Sequence, residues 1–132
     1  MRSFVHQIAV AAIGAMVASA LPIAAFALPS TAKGQVSVGQ VMEMIAKADS
    51  SPMAKQTLVA YVSGVGEAAS VIVDTIGGSH MVSCKTALRL DTGSMRAALE
   101  TGASSRSNWS ETPATPLIVA DMVKRAGCRI KD

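Results

Sequence analysis

Charge of either sign is scarce in this 132-residue sequence, and the two signs nearly cancel. Lys and Arg together number 12 and Asp and Glu number 9, which gives a net charge of +3. So slight an excess does not favour a nucleic acid or an anionic membrane as the partner. Basic side chains gather only near the C-terminus, where Lys124, Arg125, Arg129 and Lys131 lie.

Histidine is also scarce, and the sequence has no acidic pair or metal-ligand cluster with diagnostic spacing. Serines are plentiful, but nothing supplies a nearby base in a recognisable arrangement. The sequence therefore predicts that the protein is not an enzyme, has no catalytic residues, and binds neither a metal nor a cofactor.

The N-terminus has the pattern of a signal peptide. Arg2 precedes an uncharged apolar run, residues 8–20, and the small residues Ala25 and Ala27 follow it. The run is too short to span a bilayer comfortably, which makes a retained anchor the weaker alternative. We therefore expect residues 1–27 to be removed, residues 28–36 to form a flexible leader, and the product to be periplasmic with no membrane attachment.

The two cysteines, Cys84 and Cys128, both lie in the predicted exported part. Because thiols are oxidised outside the cytoplasm, and two cysteines allow only one intramolecular pairing, a disulfide between them is the favoured prediction. The alternative is a metal or nucleophile site that combines Cys84 with His80, although no further ligand is evident.

Hydrophobic periodicity predicts helices and almost no strands. The first helix covers residues 37–47. The second begins at Pro52 after Ser50 or Ser51 and ends at Gly77 and Gly78. Its predicted buried stripe is Met53, Val59, Val62, Val65, Ala69, Ile72, Val73 and Ile76.

Two shorter helices follow the second. One is capped by Asp91 or Thr92 and ends at Gly102, and the other is capped by Thr115 with Pro116 at its first helical position. Between them lies a polar loop, residues 103–112. Together these elements predict an all-α fold, a single small bundle of about four helices within residues 37–132.

The order of several short motifs resembles the Rap/Tai family of periplasmic type VI secretion immunity proteins. The similarity covers about residues 37–128 and lies in Tyr61-Val62-Ser63-Gly64-Val65, Cys84, Thr92-Gly93-Ser94-Met95, Pro113-Ala114, the helix over residues 117–126, and Gly127-Cys128. Two positions depart from the family pattern: Leu58 stands where a cysteine of a second disulfide is usual, and Lys85-Thr86 replaces a segment with proline.

The resemblance implies a non-enzymatic inhibitor. Such a protein binds a secreted peptidoglycan amidase effector and blocks its cleft with a protruding loop. In this sequence the composition of residues 103–112 makes that loop the candidate, with Arg106, Asn108, Trp109 and Glu111 as partner-binding residues. Two interpretations of Trp109 stay open, because it either anchors the partner or folds back and covers the core.

A second function is also compatible with the sequence. A small periplasmic chaperone or stress protein would use methionine-rich apolar helix faces to hold unfolded clients. An uncovered apolar face would equally allow a homodimer. These alternatives differ in one respect: an inhibitor binds one partner tightly, whereas a chaperone binds many clients weakly.

Overall fold

The computed structural model describes residues 30–77 and 82–130, with the side chains of residues 76 and 77 excepted. The predicted signal peptide, His80 and the last two residues lie outside this part of the chain. Four helices and two short strands are described: α1 (Val38–Lys47), α2 (Pro52–Gly77), β1 (Val82–Ser83), α3 (Thr92–Gly102), α4 (Ala114–Ala126) and β2 (Arg129–Ile130).

Local capping chemistry explains where α1 and α3 begin. Ser37 Oγ accepts a hydrogen bond from the Gln40 backbone N–H at 3.2 Å, and Gln40 Oε1 accepts one from the Ser37 N–H at 2.8 Å. Asp91 and Ser94 form the same reciprocal arrangement at α3. The hydrogen bonds from Ser94 hold the pKa of the Asp91 carboxyl below its usual range. The predicted start of α3 is confirmed, and α1 begins one residue later than predicted, with Ser37 as its cap.

The core lies where the four helices meet. It is built from fully or nearly fully buried apolar side chains of every helix: Val38, Val41, Met44 and Ile45 of α1, Leu58, Val65 and Ala69 of α2, Met95 and Leu99 of α3, and Ile118 and Met122 of α4. No buried side-chain N or O atom within residues 30–77 and 82–130 lacks a hydrogen-bond partner.

The burial predicted for α2 is only partly correct. Val65 and Ala69 are buried, but Met53, Val59 and Ile72 are 65%, 57% and 57% exposed. The periodicity identified a helix correctly, yet neighbouring helices cover only one side of it and leave the C-terminal half largely uncovered. The side chain of Ile76 lies outside the described residues.

Helix α4 begins two residues earlier than predicted, at Ala114. Pro113 occupies the capping position, and the Ala114 N–H donates to the Val36 carbonyl at 2.9 Å. The predicted cap, Thr115, instead lies in the first turn, where its hydroxyl is 2.9 Å from the Tyr61 hydroxyl of α2. Burial raises the pKa of Tyr61. The start of α4 is therefore set by contacts with distant segments rather than by a local cap.

The prediction of a purely all-α fold is corrected by β1 and β2, which pair antiparallel with Val82 opposite Ile130. The strands immediately precede Cys84 and follow Cys128, which form the predicted disulfide. Because the S–S bond holds these two segments side by side, their backbone groups can pair over two residues. Strands this short carry no alternation of apolar and polar residues, so the sequence did not indicate them.

The N-terminal segment is tied to the loop before α4. Val38 N–H donates to the Thr112 carbonyl at 2.9 Å, and Gly39 N–H donates to the Trp109 carbonyl at 3.0 Å. Ser37 and Pro113 form an isolated antiparallel bridge. Thr31, within the predicted flexible leader, is buried and its N–H donates to the Gln35 carbonyl at 2.9 Å. Residues 31–36 thus pack against the fold. We call the contact of residues 36–39 with residues 109–114 the junction.

Replacement of Ser37 tests the junction and the α1 cap together. We expect Ser37→Ala to lower the free energy of unfolding by about 1–2 kcal/mol, since a buried cap is lost. Urea denaturation followed by circular dichroism measures the change. Ser104→Ala, at an exposed position, is the control and should differ from the parent by less than about 0.5 kcal/mol.

Loss of the disulfide should lower the free energy of unfolding more than loss of the Ser37 cap does. The bond closes a loop with a sequence separation of 44 residues, which stabilises the fold by about 4 kcal/mol in the chain-entropy description. We expect the paired Cys84→Ala and Cys128→Ala variant to unfold at a much lower urea concentration than the parent. An unchanged midpoint would show that the helices alone determine stability.

Candidate functional site

The predicted partner-binding loop is an ordered turn. Within residues 103–112, Arg106–Asn108 form a single 3₁₀ turn. The Asn108 carbonyl then accepts hydrogen bonds from the Glu111 N–H at 3.1 Å and from the Thr112 hydroxyl at 2.7 Å. The loop is therefore closed by its own backbone as well as being held at the junction.

The side chain of Trp109 holds the loop in place through contacts with the core and with Ala103. Its side chain is partly buried against the core, and its indole Nε1 donates to the Ala103 carbonyl at 2.7 Å. This hydrogen bond joins the residue that follows α3 to the far side of the turn. Of the two interpretations of Trp109, the structure shows the second, in which the ring folds back and covers the core. Trp109 is thus a support of the loop rather than a freely projecting anchor.

Arg106 lies beside the tryptophan ring. Its guanidinium carbon is 5.4 Å from the ring centroid, within the range of a cation–π contact. The arginine side chain remains exposed, so its N–H groups face solvent while the ring limits the directions that it samples. Arg106 therefore presents an oriented cationic donor on the loop surface.

Asn108 and Glu111 differ in the hydrogen bonds that their side chains already form within the protein. Both are exposed, and Glu111 Oε2 accepts a hydrogen bond from the Ala32 N–H at 3.2 Å. The Asn108 side-chain oxygen has only a long contact, 3.5 Å from the Ser107 hydroxyl. Of the predicted binding residues, Arg106 and Asn108 are thus best placed to meet a partner, whereas Glu111 also holds the N-terminal segment.

The serine residues of the loop were not predicted as part of the site. Ser104, Ser105, Ser107 and Ser110 are all exposed, and the Ser105 and Ser107 hydroxyls lie 2.8 Å apart. Short hydroxyl side chains lose little conformational entropy when they form hydrogen bonds across an interface. Their density in the sequence, four serines in seven residues, was the available signal.

The described residues offer no other site with recognisable chemistry. Within residues 30–77 and 82–130, no group of three or more His, Cys, Asp or Glu side chains could hold a metal ion. Cys84, named in the alternative metal site, is bonded to Cys128, and its proposed companion His80 lies outside the described residues. The surface of the loop is therefore the strongest candidate for a functional site.

Substitution of Trp109 tests whether its side chain supports the fold of the loop. Trp109→Ala removes both the packing and the Nε1 hydrogen bond, and we expect it to lower the free energy of unfolding by about 3–5 kcal/mol if the site behaves as core. Trp109→Phe keeps much of the packing and should cost less. Urea denaturation measures both, and equal stability of all three proteins would contradict a supporting role.

Comparison of this chain with models of protein families, with curated proteins and with solved structures finds no match in any of the three.

Proposed function

We propose that the protein is an exported, non-enzymatic immunity protein that inhibits a type VI secreted peptidoglycan amidase by inserting the loop of residues 103–112 into its cleft. The observation that carries the proposal is an exposed polar turn whose backbone is fixed at both ends. A preorganised loop loses little conformational entropy on binding, so more of the contact energy contributes to affinity.

The chemistry of the loop surface suits the mouth of an enzyme cleft. Arg106 can donate two parallel hydrogen bonds to a carboxylate or to adjacent carbonyl groups. Asn108 supplies both a donor and an acceptor, and the loop serines add small hydroxyl groups around them. This combination recognises polar backbone and side-chain groups rather than an apolar pocket.

Export is supported by two separate features. The N-terminal sequence has the pattern of a cleavable signal peptide, and the disulfide between Cys84 and Cys128 is a bond that persists in oxidising compartments. The resemblance to the Rap/Tai family supplies the class of partner, an amidase that attacks the wall in the same compartment.

A chaperone or stress protein is the second candidate, and one observation favours it. Four of the five large apolar side chains that are strongly exposed in the described residues lie on α2: Met53, Val59, Val71 and Ile72. Apolar surface of this kind is where a holding chaperone would bind clients. The two candidate functions therefore use different surfaces: the loop would inhibit an amidase, and α2 would bind unfolded clients.

The deciding experiment measures binding and inhibition with the exported protein, purified from the periplasm after expression of the full-length sequence. Candidate secreted amidases are tested for affinity by calorimetry and for peptidoglycan hydrolysis. We expect one amidase to be inhibited, and Arg106→Ala to weaken its binding about tenfold or more, since loss of a central arginine contact exceeds about 1.4 kcal/mol.

Arg96→Ala is the matched control, because Arg96 is an exposed arginine on α3 outside the loop. It should bind the amidase as tightly as the parent protein. Prevention of aggregation of many unrelated unfolded proteins, with no amidase inhibited, would overturn the immunity proposal in favour of the chaperone. Inhibition unaffected by Arg106→Ala and by Asn108→Ala would place the inhibitory surface elsewhere.

A further inference from the structure

The chain just before α1 forms a tight turn. The Gly34 N–H donates to the Thr31 carbonyl at 2.8 Å, and the Thr31 N–H donates to the Gln35 carbonyl at 2.9 Å. The Thr31 hydroxyl oxygen also accepts a hydrogen bond from the Gln35 N–H at 3.1 Å. These bonds close a small hairpin, which we call the 31–35 turn.

The 31–35 turn holds Lys33 at its tip. Gly34 has a φ of 73°, in the left-handed region that glycine adopts without strain. Short hairpins often place such a residue directly after the turn. Thr31 is buried, whereas residues 32–35 are all exposed. Thr31 therefore anchors the turn to the fold, and Lys33 stands on an ordered backbone in contact with solvent.

Hydrogen bonds connect the 31–35 turn to the candidate loop. The Ala32 N–H donates to Glu111 Oε2 at 3.2 Å, and the Glu111 N–H donates to the Asn108 carbonyl at 3.1 Å. The junction, which begins at residue 36, ties the same two segments together again. The turn and the loop of residues 103–112 therefore lie side by side in a fixed arrangement.

The turn and the loop together carry an excess of positive charge. Residues 30–36 and 103–112 include two basic residues, Lys33 and Arg106, and one acidic residue, Glu111. The Glu111 carboxylate already accepts the hydrogen bond from Ala32. Neither of the two salt bridges between described residues involves Lys33. The combined surface therefore presents two exposed cations, which are complementary to carboxylates on a partner.

We propose that the 31–35 turn is a second part of the surface that binds the amidase, and that its contact residue, Lys33, meets acidic side chains beside the mouth of the amidase cleft. This inference rests on the inhibitory function proposed above. Arg106 and Asn108 bind at the cleft mouth, whereas Lys33 contacts the rim. Glu111 is then a positioning residue, because it holds the turn that carries Lys33.

A rim charge has a characteristic kinetic effect. It attracts the partner before contact, so its loss mainly slows association, whereas loss of a central contact mainly speeds dissociation. We expect Lys33→Glu to lower the association rate constant about fivefold or more and to change the dissociation rate constant less than about twofold. The difference should shrink at about 1 M salt, where the screening length falls to about 3 Å.

Surface plasmon resonance at low and high salt measures these rates, with the exported protein and the amidase that it inhibits. Lys55→Glu is the matched control, since it makes the same charge change at an exposed lysine of α2. Lys55 lines a groove with Ala48 and Asp49, at the C-terminal end of α1, whereas the junction lies at the N-terminal end. Circular dichroism checks that both variants stay folded.

Two substitutions of equal charge test the positioning role of Glu111. Glu111→Gln keeps an acceptor oxygen for the Ala32 N–H, whereas Glu111→Ala removes it. We expect faster hydrogen exchange of the amides in the 31–35 turn and slower association in Glu111→Ala than in Glu111→Gln. When Lys33→Ala is already present, the two Glu111 variants should associate at equal rates, because the turn no longer carries the contact.

The outcomes separate this proposal from the function on which it rests. Equal association rates of Lys33→Glu and Lys55→Glu with an inhibited amidase would overturn the role of the 31–35 turn and leave the inhibitory function standing. Failure of the parent protein to bind any secreted amidase would overturn both proposals.

Discussion

The junction between residues 36–39 and residues 109–114 is the constraint on which the rest of the fold depends. It attaches the N-terminus of α1 to the loop and sets the N-terminus of α4, through backbone hydrogen bonds between segments some 70 residues apart in the chain. Bonds between segments so far apart carry a cost in loop-closure entropy, which the packing of the intervening helices offsets. The candidate loop is thus ordered by contacts with the rest of the fold as well as by hydrogen bonds within its own turn.

Sequence reasoning succeeded where the determinant was local. Helices α1 and α3 begin directly after Ser37 and Asp91, because each of these short side chains accepts a hydrogen bond from the backbone N–H three residues on, and residues of this type are visible in the sequence. The start of α4 was misplaced for the opposite reason: Thr115 has the chemistry of a cap, but its hydroxyl meets Tyr61 from another helix. A local rule cannot anticipate a competing partner that tertiary packing supplies.

In the candidate site, too, the sequence predicted the features that depend on local composition and missed those that depend on tertiary packing. Composition identified an irregular polar loop at residues 103–112 and named Arg106 and Asn108, both of which are exposed. It could not decide the direction of Trp109, since an amphipathic ring suits a core edge and an interface equally well. The hydrogen bond from the indole to Ala103 settles that direction. Likewise, the periodicity of α2 identified a helix but not which of its faces lacks a neighbour.

The disulfide has a mechanical consequence. Cys84 and Cys128 enclose α3, the loop and α4 in a covalent ring, whereas α1 and α2 lie outside it. A pulling force applied between the two ends of the described chain would pass through the S–S bond and bypass the ring. The same bond keeps both fragments attached if a protease cuts the backbone between the two cysteines. The segment that presents the loop is therefore shielded from tension and retained after a single cut.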